Sequence, residues 1–357
     1  MNIREATRSY EAWMRECNII IEADLRTKHQ QMKEDLFSFF RGTYYRWAQL
    51  YPEVCPELSR APRVLACGDL HVGSFGTWRD SEGRLSWGVD DFDEAFPLAY
   101  TNDLVRLATS VKILTDSEQL TIKLKRGCAA ILEGYEEALR TGGRPIVLAE
   151  QQKYLQHLGV TAIRPSKAFW RKLNRLPVIS GKIPQNLKAT LEKSLPPKID
   201  YKLARRKAGM GSLGQPRFVA IADWQGGCIA REAKALVPAS SMWVAGRTGS
   251  GQNYYQEAIS NAIRSSDPFQ RIAGGWLIRR LSPDSNPIEI IDLPHDRDEE
   301  TLLHAMGLEA ANVHLGSKKS VRHVLKDVRM RKRAWLQSAA KEMAKVMERE
   351  WNKYKKS

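Results

Sequence analysis

The chain has 357 residues, of which 43% are hydrophobic and 27% charged, and its formal net charge is +15. This length supports a sizeable core divided into two domains or lobes, and the charge favours anionic partners such as phosphates, nucleotides or nucleic acid. No apolar run approaches the roughly 18 residues that a membrane span requires. The charged N-terminus and the five scattered cysteines predict a cytoplasmic protein with reduced thiols, without a disulfide framework or a zinc site.

The first half of the chain predicts helices around a short β region. Residues 10–50 alternate apolar and charged residues at helical spacing and predict two helices. The run RVLAC (63–67) predicts a short strand, and the segments SFGTWRD and RLSWGVDD flank the turn sequence DSEG as in a hairpin. A helix with Asn102 as its N-cap follows, and a helical pattern over 117–141 ends at TGGRP.

The second half changes from β-like to helical patterns. Residues 175–200 carry four prolines among polar residues and predict a linker or long loop between two lobes. One helix at about 253–264 interrupts the β-like runs that follow, which are 217–224, 228–236, 275–282 and 288–293. From residue 299 the chain reads as helices, and the last has an apolar stripe from Leu336 to Trp351 that predicts core packing.

Carboxylates are concentrated on both sides of the predicted hairpin. Asp69 and His71 follow the strand that ends near Gly68, and the run VDDFDEAF carries Asp91 and Asp93. Because a hairpin returns the chain beside its start, we expect these carboxylates to lie close together. Clustered carboxylates repel each other, and a bound cation such as Mg²⁺ removes that repulsion. The alternative is that the acidic run only caps and solvates a loop.

These motifs resemble the catalytic core of the protein-kinase-like superfamily. The match of GDLHVGS, VDDFDE and NDLVRLA is closest to the aminoglycoside-phosphotransferase pattern. The resemblance implies that Asp69 is the catalytic base, Asp91 the principal Mg²⁺ ligand and Asp93 a second ligand. It also implies that Asp103 is a structural residue that braces the catalytic loop.

The whole chain also resembles the bacterial domain-of-unknown-function family 2252. The motifs that carry this resemblance are FFRG, GDLHxxxFG, DFDE, NDLVRLATS, the glycine loop and ANVHLGS.

Ser74 departs from the kinase-like pattern, which has a metal-binding Asn at this position. A Ser hydroxyl is a weaker metal ligand than an Asn side chain. We expect His71 to orient the catalytic loop through hydrogen bonds, and His314 to be a packed helix residue. Arg41 either binds phosphate, braces Asp69 or lies on the surface.

A glycine-rich segment provides the expected nucleotide loop, which comprises Gly209, Gly211, Ser212 and Gly214. A β-like run follows this G-x-G-x-x-G, as in the kinase loop over ATP phosphates, although a plain hairpin turn is the alternative. A cation on the next strand should reach the phosphates. The resemblance aligns Arg231 with the usual Lys, and Lys234 is the second candidate on the opposite strand face. Glu257 is a weak candidate to orient this cation.

The order of these parts is reversed relative to a standard kinase, in which the glycine loop comes first. We therefore expect an α+β fold with a circularly permuted, kinase-like, two-lobe arrangement. A helical catalytic lobe with a metal-binding hairpin (1–175) is followed by a linker (176–200) and a β-rich nucleotide-binding lobe (201–298). The C-terminal helices (299–357) return to the first lobe.

The leading functional hypothesis is an ATP- and Mg²⁺-dependent phosphotransferase that acts on an unknown acceptor, either a small molecule or a protein. Nucleotidyl transfer uses much the same parts and stays open. The competing hypothesis is a catalytically weak or inactive kinase-like module that senses nucleotides or binds nucleic acid. The departures at Ser74 and Arg231 favour it, as does the basic segment 317–333, which is otherwise a solvated helix face.

Overall fold

Helices and small antiparallel sheets combine in a mixed α+β fold. The computed structural model describes residues 1–151, 165–179, 183–247, 253–285 and 296–356. The strand predicted at 288–293 lies outside these residues. Within the described ranges, every helix is too short or too polar to cross a membrane.

The N-terminal region contains more helices than predicted, namely α1 (Ile3–Cys17), α2 (Glu22–Glu34), α3 (Leu36–Gly42), α4 (Tyr44–Val54) and the short α5 (Pro56–Ser59). Of the breaks that divide the expected two helices, the one before α3 has a side-chain cap, whereas those before α2, α4 and α5 have none. The side chain of Asp35 accepts a hydrogen bond from the backbone N of Ser38 at 2.7 Å, which caps α3 and separates it from α2.

The predicted strand and hairpin are both present. The strand is β1 (Arg63–Ala66), and the hairpin is formed by β2 (Phe75–Arg79) and β3 (Leu85–Val89). A strand that the sequence did not indicate, β4 (Phe96–Ala99), pairs antiparallel with β1, so that Ala66 lies opposite Phe96. This pairing brings the segment after β1 and the segment before β4 to the same end of the two-stranded sheet.

Helix α6 (Tyr100–Asp116) follows β4 and is buried along most of its length. Asn102 lies within its first turn and is not the N-cap as predicted, because its amide donates to the carbonyl oxygen of Gly68 at 3.0 Å.

The helix predicted over 117–141 is shorter in the structure. Helix α7 begins at Leu124 and ends at Thr141, before Gly142 in the left-handed conformation (φ 87°).

A five-stranded antiparallel sheet forms the second β region. Its strands, in spatial order, are β6 (Lys202–Arg205), β7 (Arg217–Trp224), β8 (Gly227–Ala235), β10 (Trp276–Leu281) and β9 (Arg271–Ala273). The predicted strands at 217–224, 228–236 and 275–282 are confirmed, whereas β6 and β9 were not predicted. Strand β5 (Ile146–Val147) belongs to the hairpin sheet instead.

Short helices lie between β5 and β6 and between β8 and β9 in the chain: α8 (Leu148–Gln151), α9 (Ser166–Asn174), α10 (Gln185–Glu192), α11 (Ser240–Val244) and α12 (Tyr255–Asn261). Helix α10 lies inside the region predicted as a linker. Leu187 and Leu191 on this helix are buried against the sheet, and Val178 forms a β-bridge with Ala204. The described part of this region is therefore integral to the packing of the sheet.

Three helices complete the chain, α13 (Asp296–His314), α14 (Val321–Met330) and α15 (Trp335–Lys355). The apolar stripe of α15 is buried as predicted, and the helix packs against α6. The tightest helix contact is between α7 and α13. A β-carbon on Gly134 would lie 1.9 Å from the carbonyl oxygen of His304, and one on Gly307 would lie 2.0 Å from that of Ile131.

We predict that Gly134→Ala or Gly307→Ala destabilises the protein by about 1–3 kcal/mol or more, because the added methyl group forces two backbones apart. Urea unfolding monitored by circular dichroism measures this change. Gly227→Ala is the matched control, since nothing lies within 4 Å of a β-carbon there. Equal unfolding midpoints for all three variants would contradict the close crossing.

Candidate active site

A cavity of about 330 Å³ lies between the N-terminal helices, the loops that follow β1 and β3, and one face of the five-stranded sheet. Most of the residues predicted for the site line it, namely Asp69, His71, Ser74, Asp91, Asp93, Gly209, Gly211, Ser212 and Lys234. Gly214 and Arg231 are not among its lining residues. The carboxylates that the sequence places on both sides of the hairpin therefore meet around one space.

The loop after β1 is held by Asp103 on α6. The carboxylate of this residue accepts hydrogen bonds from the backbone N of Cys67 at 2.7 Å and of Gly68 at 3.0 Å. Nε2 of His314 lies 3.0 Å from the same carboxylate, and both side chains are buried. Asp103 thus has the bracing position implied by the resemblance, and His314 is a packed helix residue that supports it.

Asp69 is oriented by an arginine that the sequence analysis did not identify. Nε of Arg106, one turn after Asp103 on α6, lies 2.5 Å from Oδ1 of Asp69. The guanidinium is fully buried, and its centre is 3.9 Å from the ring centroid of Phe40. Burial raises the pKa of Asp69, and Arg106 opposes that shift. The spacing of three residues in NDLVRLA, which places Asp103 and Arg106 on one helix face, was the available signal.

His71 and Ser74 stabilise the shape of the same loop. Oγ of Ser74 donates to the carbonyl oxygen of Asp69 at 3.0 Å and accepts from the backbone N of His71 at 3.1 Å. Nδ1 of His71 accepts from the backbone N of Gly73 at 3.1 Å, as expected for a residue that orients the loop. Burial lowers the pKa of His71 well below its usual value, and Arg41 and Arg106 lower it further, so the imidazole is neutral.

Asp91 and Asp93 converge on Lys234 of β8. The ammonium group of Lys234 forms an ion pair with Asp93 and lies 3.8 Å from Oδ1 of Asp91. Burial and the neighbouring Asp91 raise the pKa of Asp93. Oδ1 of Asp93 is buried and has no hydrogen-bond partner among the described residues. One lysine therefore partly neutralises the pair and leaves an acceptor oxygen available.

These two carboxylates fit a magnesium ion that is completed by a substrate. Across the described ranges, no group of three or more acidic, histidine or cysteine side chains is gathered as a ready metal site. Mg²⁺ commonly takes one or two protein carboxylates and obtains its other oxygen ligands from water and substrate phosphates. The unpartnered oxygen of Asp93 beside Asp91 is consistent with that mode of binding.

The strand directs Lys234, and not Arg231, toward the cavity. The guanidinium of Arg231 packs 4.0 Å from the ring centroid of Phe269, and its Nε donates to the carbonyl oxygen of Ser194 at 3.0 Å. Arg231, which the resemblance aligns with the lysine of the kinase pattern, therefore does not line the cavity. Side chains alternate between the faces of a strand, so two residues separated by three positions point in opposite directions. Glu257 is exposed and does not line the cavity.

The glycine loop connects β6 and β7 and borders the loop that follows β1. A β-carbon on Gly211 would lie 4.0 Å from Oδ2 of Asp69. Gly209 and Gly214 have positive φ angles of 77° and 100°, which glycine adopts without strain. Gly214 lies at the far end of the loop, where its carbonyl oxygen accepts from the backbone N of Ile21 at 2.7 Å. Gly214 therefore shapes the course of the loop and does not line the cavity.

A buried ion cluster that the sequence analysis missed covers the sheet face above the cavity. Glu232 on β8 is fully buried and forms ion pairs with three arginines, Arg206, Arg217 and Arg279. Despite its burial, these arginines lower the pKa of Glu232 well below its usual value. Glu232 and Lys234 are two residues apart on one strand and so share the face that is turned to the cavity.

Two further carboxyl groups that line the cavity have raised pKa values. Burial raises the pKa of Asp90 to about 6 and that of Glu94 to about 8. Glu94 also accepts hydrogen bonds from the backbone N of Ser240 at 2.5 Å and from its Oγ at 2.6 Å. The cavity therefore carries less negative charge near neutral pH than its number of acidic residues suggests.

Residues 20–172 match a family described as "Uncharacterized protein conserved in bacteria (DUF2252)". The similarity to this family covers less than half of the chain. The matched segment contains Arg41, Asp69, Asp91 and Asp103, whereas the glycine loop and Lys234 lie after it. No curated protein and no solved structure matches the chain.

We predict that Asp103→Asn destabilises the protein by about 1–3 kcal/mol, because an amide has only one acceptor oxygen for the two buried backbone donors. Asp116→Asn at the exposed end of the same helix should change stability by less than about 0.5 kcal/mol. Equilibrium unfolding of the two variants makes the comparison. Indistinguishable stabilities would show that the loop does not depend on this carboxylate.

Proposed function

We propose that this chain transfers a phosphoryl group from a magnesium-bound nucleoside triphosphate to a hydroxyl group of an acceptor. The observation that carries the proposal is the convergence of two loops and the sheet on one cavity. Asp69 lies opposite the glycine loop, and Asp91 and Asp93 contact the lysine of the third strand. In protein kinases the glycine loop likewise covers the phosphates, and the phosphate-binding Lys lies on the third strand.

Each part has a role that follows from its position. Asp69 accepts the proton of the acceptor hydroxyl, whose oxygen then forms a bond to the terminal phosphorus as the bond to the bridging oxygen breaks. The leaving group is the nucleoside diphosphate. Asp91 and Asp93 would hold Mg²⁺, which would supply charge neutralisation on the phosphate oxygens. Lys234 and the backbone of the glycine loop bind phosphate.

The chain order of this proposed site differs from that of a standard kinase. Asp69 and Asp91 precede the five-stranded sheet, and α13 to α15 pack beside α6 and α7. We infer that the two-lobe arrangement is a circular permutation, in which the helical lobe comes first. Nucleotidyl transfer is the variant reaction, and release of pyrophosphate instead of nucleoside diphosphate would identify it.

A basic surface favours nucleic-acid binding as a second candidate. The exposed basic residues of the segment 317–333 are Lys318, Lys319, Arg322, Lys326, Arg329, Lys332 and Arg333. Asp327, the acidic residue of this segment, is turned inward, where it accepts from Tyr100 and from Arg331, each at 2.7 Å. Strongly salt-dependent binding of DNA or RNA without nucleotide turnover would support this candidate.

We predict that Mg-ATP at 100 times its dissociation constant stabilises the protein by about 2.7 kcal/mol. Asp91→Asn should remove most of this stabilisation, because the loss of a carboxylate weakens the binding of the metal. Glu82→Gln, an exposed carboxylate at the tip of the same hairpin, should leave it intact. Thermal unfolding with and without Mg-ATP measures the effect. An unchanged wild-type midpoint at millimolar Mg-ATP would argue against a nucleotide site.

We also predict that Asp69→Asn lowers turnover by about 10²–10⁴, the usual consequence of losing a general base. Nucleotide affinity should change little, because the role of Asp69 is on the acceptor side and an Asn oxygen still accepts from Arg106. Calorimetric titration with Mg-ADP, beside a nucleoside diphosphate release assay, separates affinity from turnover. Full turnover in Asp69→Asn, or a loss of affinity as large as in Asp91→Asn, would refute the assigned roles.

A further inference from the structure

Six basic side chains line the cavity, and they differ in whether they form ion pairs. They are Lys28, Arg41, Arg206, Arg217, Lys234 and Arg279. The three arginines of the sheet form ion pairs with Glu232, and Lys234 pairs with Asp93. Within the described part of the chain, Lys28 and Arg41 have no carboxylate at ion-pair distance. The two cations without a carboxylate partner come from α2 and α3 and not from the sheet.

Lys28 is 6% exposed, and its Nζ donates to the carbonyl oxygen of Gly211 in the glycine loop at 2.9 Å. Burial lowers the pKa of this lysine, while Glu11, Glu94 and Asp69 act on it from a longer distance and favour the charged form. A buried ammonium group without a close counter-ion is energetically costly. The cost is removed when a ligand brings an anionic group to it.

Arg41 ends α3 beside the same part of the glycine loop. Its backbone carbonyl oxygen would be 3.6 Å from a β-carbon on Gly211, and its guanidinium centre lies 5.7 Å from the ring centroid of Phe37. Nε of Arg41 is buried and has no hydrogen-bond partner among the described residues. Because Arg106 already holds Oδ1 of Asp69, Arg41 is not needed as the brace for that residue.

We propose that Lys28 and Arg41 form an anion subsite beside Asp69 that binds a carboxylate or phosphate group of the acceptor. The acceptor is then a small anionic alcohol, and not a cationic compound of the aminoglycoside type. This inference rests on the proposed phosphoryl transfer. The donor phosphates are assigned to Lys234, the glycine-loop backbone and the Asp91–Asp93 pair, which leaves Lys28 and Arg41 for the acceptor.

An anionic acceptor is consistent with the charges around Asp69. An ammonium group on the acceptor would be repelled by Lys28 and Arg41, whereas a carboxylate or phosphate would compensate both. Arg41 offers a planar set of donors suited to a two-oxygen contact, and Lys28 adds a point charge. Binding the anion at this place would hold a neighbouring hydroxyl near Oδ2 of Asp69.

The test uses the full chain saturated with Mg²⁺ and a non-hydrolysable ATP analogue, titrated calorimetrically with glycerol 3-phosphate, inorganic phosphate and glycerol. We expect the two phosphate compounds to bind and glycerol not to bind. Lys28→Gln and Arg41→Gln should each weaken phosphate binding at least 10-fold, while affinity for the ATP analogue stays within about threefold. Arg26→Gln, an exposed cation on the same helix as Lys28, is the matched control.

Charge-preserving variants distinguish loss of the subsite from loss of the fold. Lys28→Arg and Arg41→Lys should retain more phosphate affinity than the Gln variants, and thermal midpoints without ligand check that each variant is folded. Equal phosphate binding in the wild type and the Gln variants would overturn the proposal, as would no phosphate binding in the wild type. Weakened binding of the ATP analogue with unchanged phosphate binding would assign the two cations to the donor and also overturn it.

The same design separates the failure of this inference from failure of the proposed function. If the ATP analogue does not bind, phosphoryl transfer from a nucleotide is refuted. Titration of the nucleotide-free protein with inorganic phosphate then tests the anion subsite by itself. The subsite stands only if Lys28→Gln and Arg41→Gln lower the affinity for phosphate. The other case is that the ATP analogue binds while neutral or cationic alcohols stimulate nucleoside diphosphate release from ATP as strongly as anionic alcohols do. In that case the inference fails and the proposed function stands.

Discussion

The buried carboxylate of Asp103 is the constraint on which the candidate site depends. It accepts from the backbone N of Cys67 and Gly68 and contacts Nε2 of His314, so one side chain joins the end of β1, α6 and α13. A buried backbone donor without an acceptor is costly, which restricts the loop to a path that keeps both bonds. Arg106 lies one turn further along the same helix and orients Asp69. The direction of the proposed base is therefore determined by α6 and not by its own loop.

Charge pairing divides the cavity into two unlike sides. Near the sheet, Glu232 is compensated by three arginines, and Asp93 is compensated by Lys234. Near the N-terminal helices, Lys28 and Arg41 have no close carboxylate among the described residues. Burial also raises the pKa of Asp90 to about 6 and that of Glu94 to about 8. An anionic group bound near the N-terminal helices would supply the counter-charge that Lys28 and Arg41 lack.

The errors of the sequence analysis have identifiable physical causes. Arg231 was aligned with the phosphate-binding lysine, but strand alternation turns it to the outer face, where it packs on Phe269. Asn102 has the chemistry of an N-cap, yet Gly68 and Trp47 provide tertiary partners for its amide. Strand β4 contains a proline in four residues and gave no β signal. Its pairing with β1 supplies the stability that its own sequence does not.

The sequence by itself determined the helix and strand types of the longer elements, the hairpin, the position of the glycine loop and the acidic residues around Asp69. These features depend on local spacing and on the conformational preferences of neighbouring residues, which a linear pattern records. The tertiary structure alone decided that Arg106 holds Asp69, that Lys234 faces Asp91 and Asp93, and that Lys28 and Arg41 line the same cavity without a carboxylate at ion-pair distance among the described residues. These contacts join residues between 37 and 183 positions apart, and the energy of such a contact depends on burial and partners that no local pattern contains.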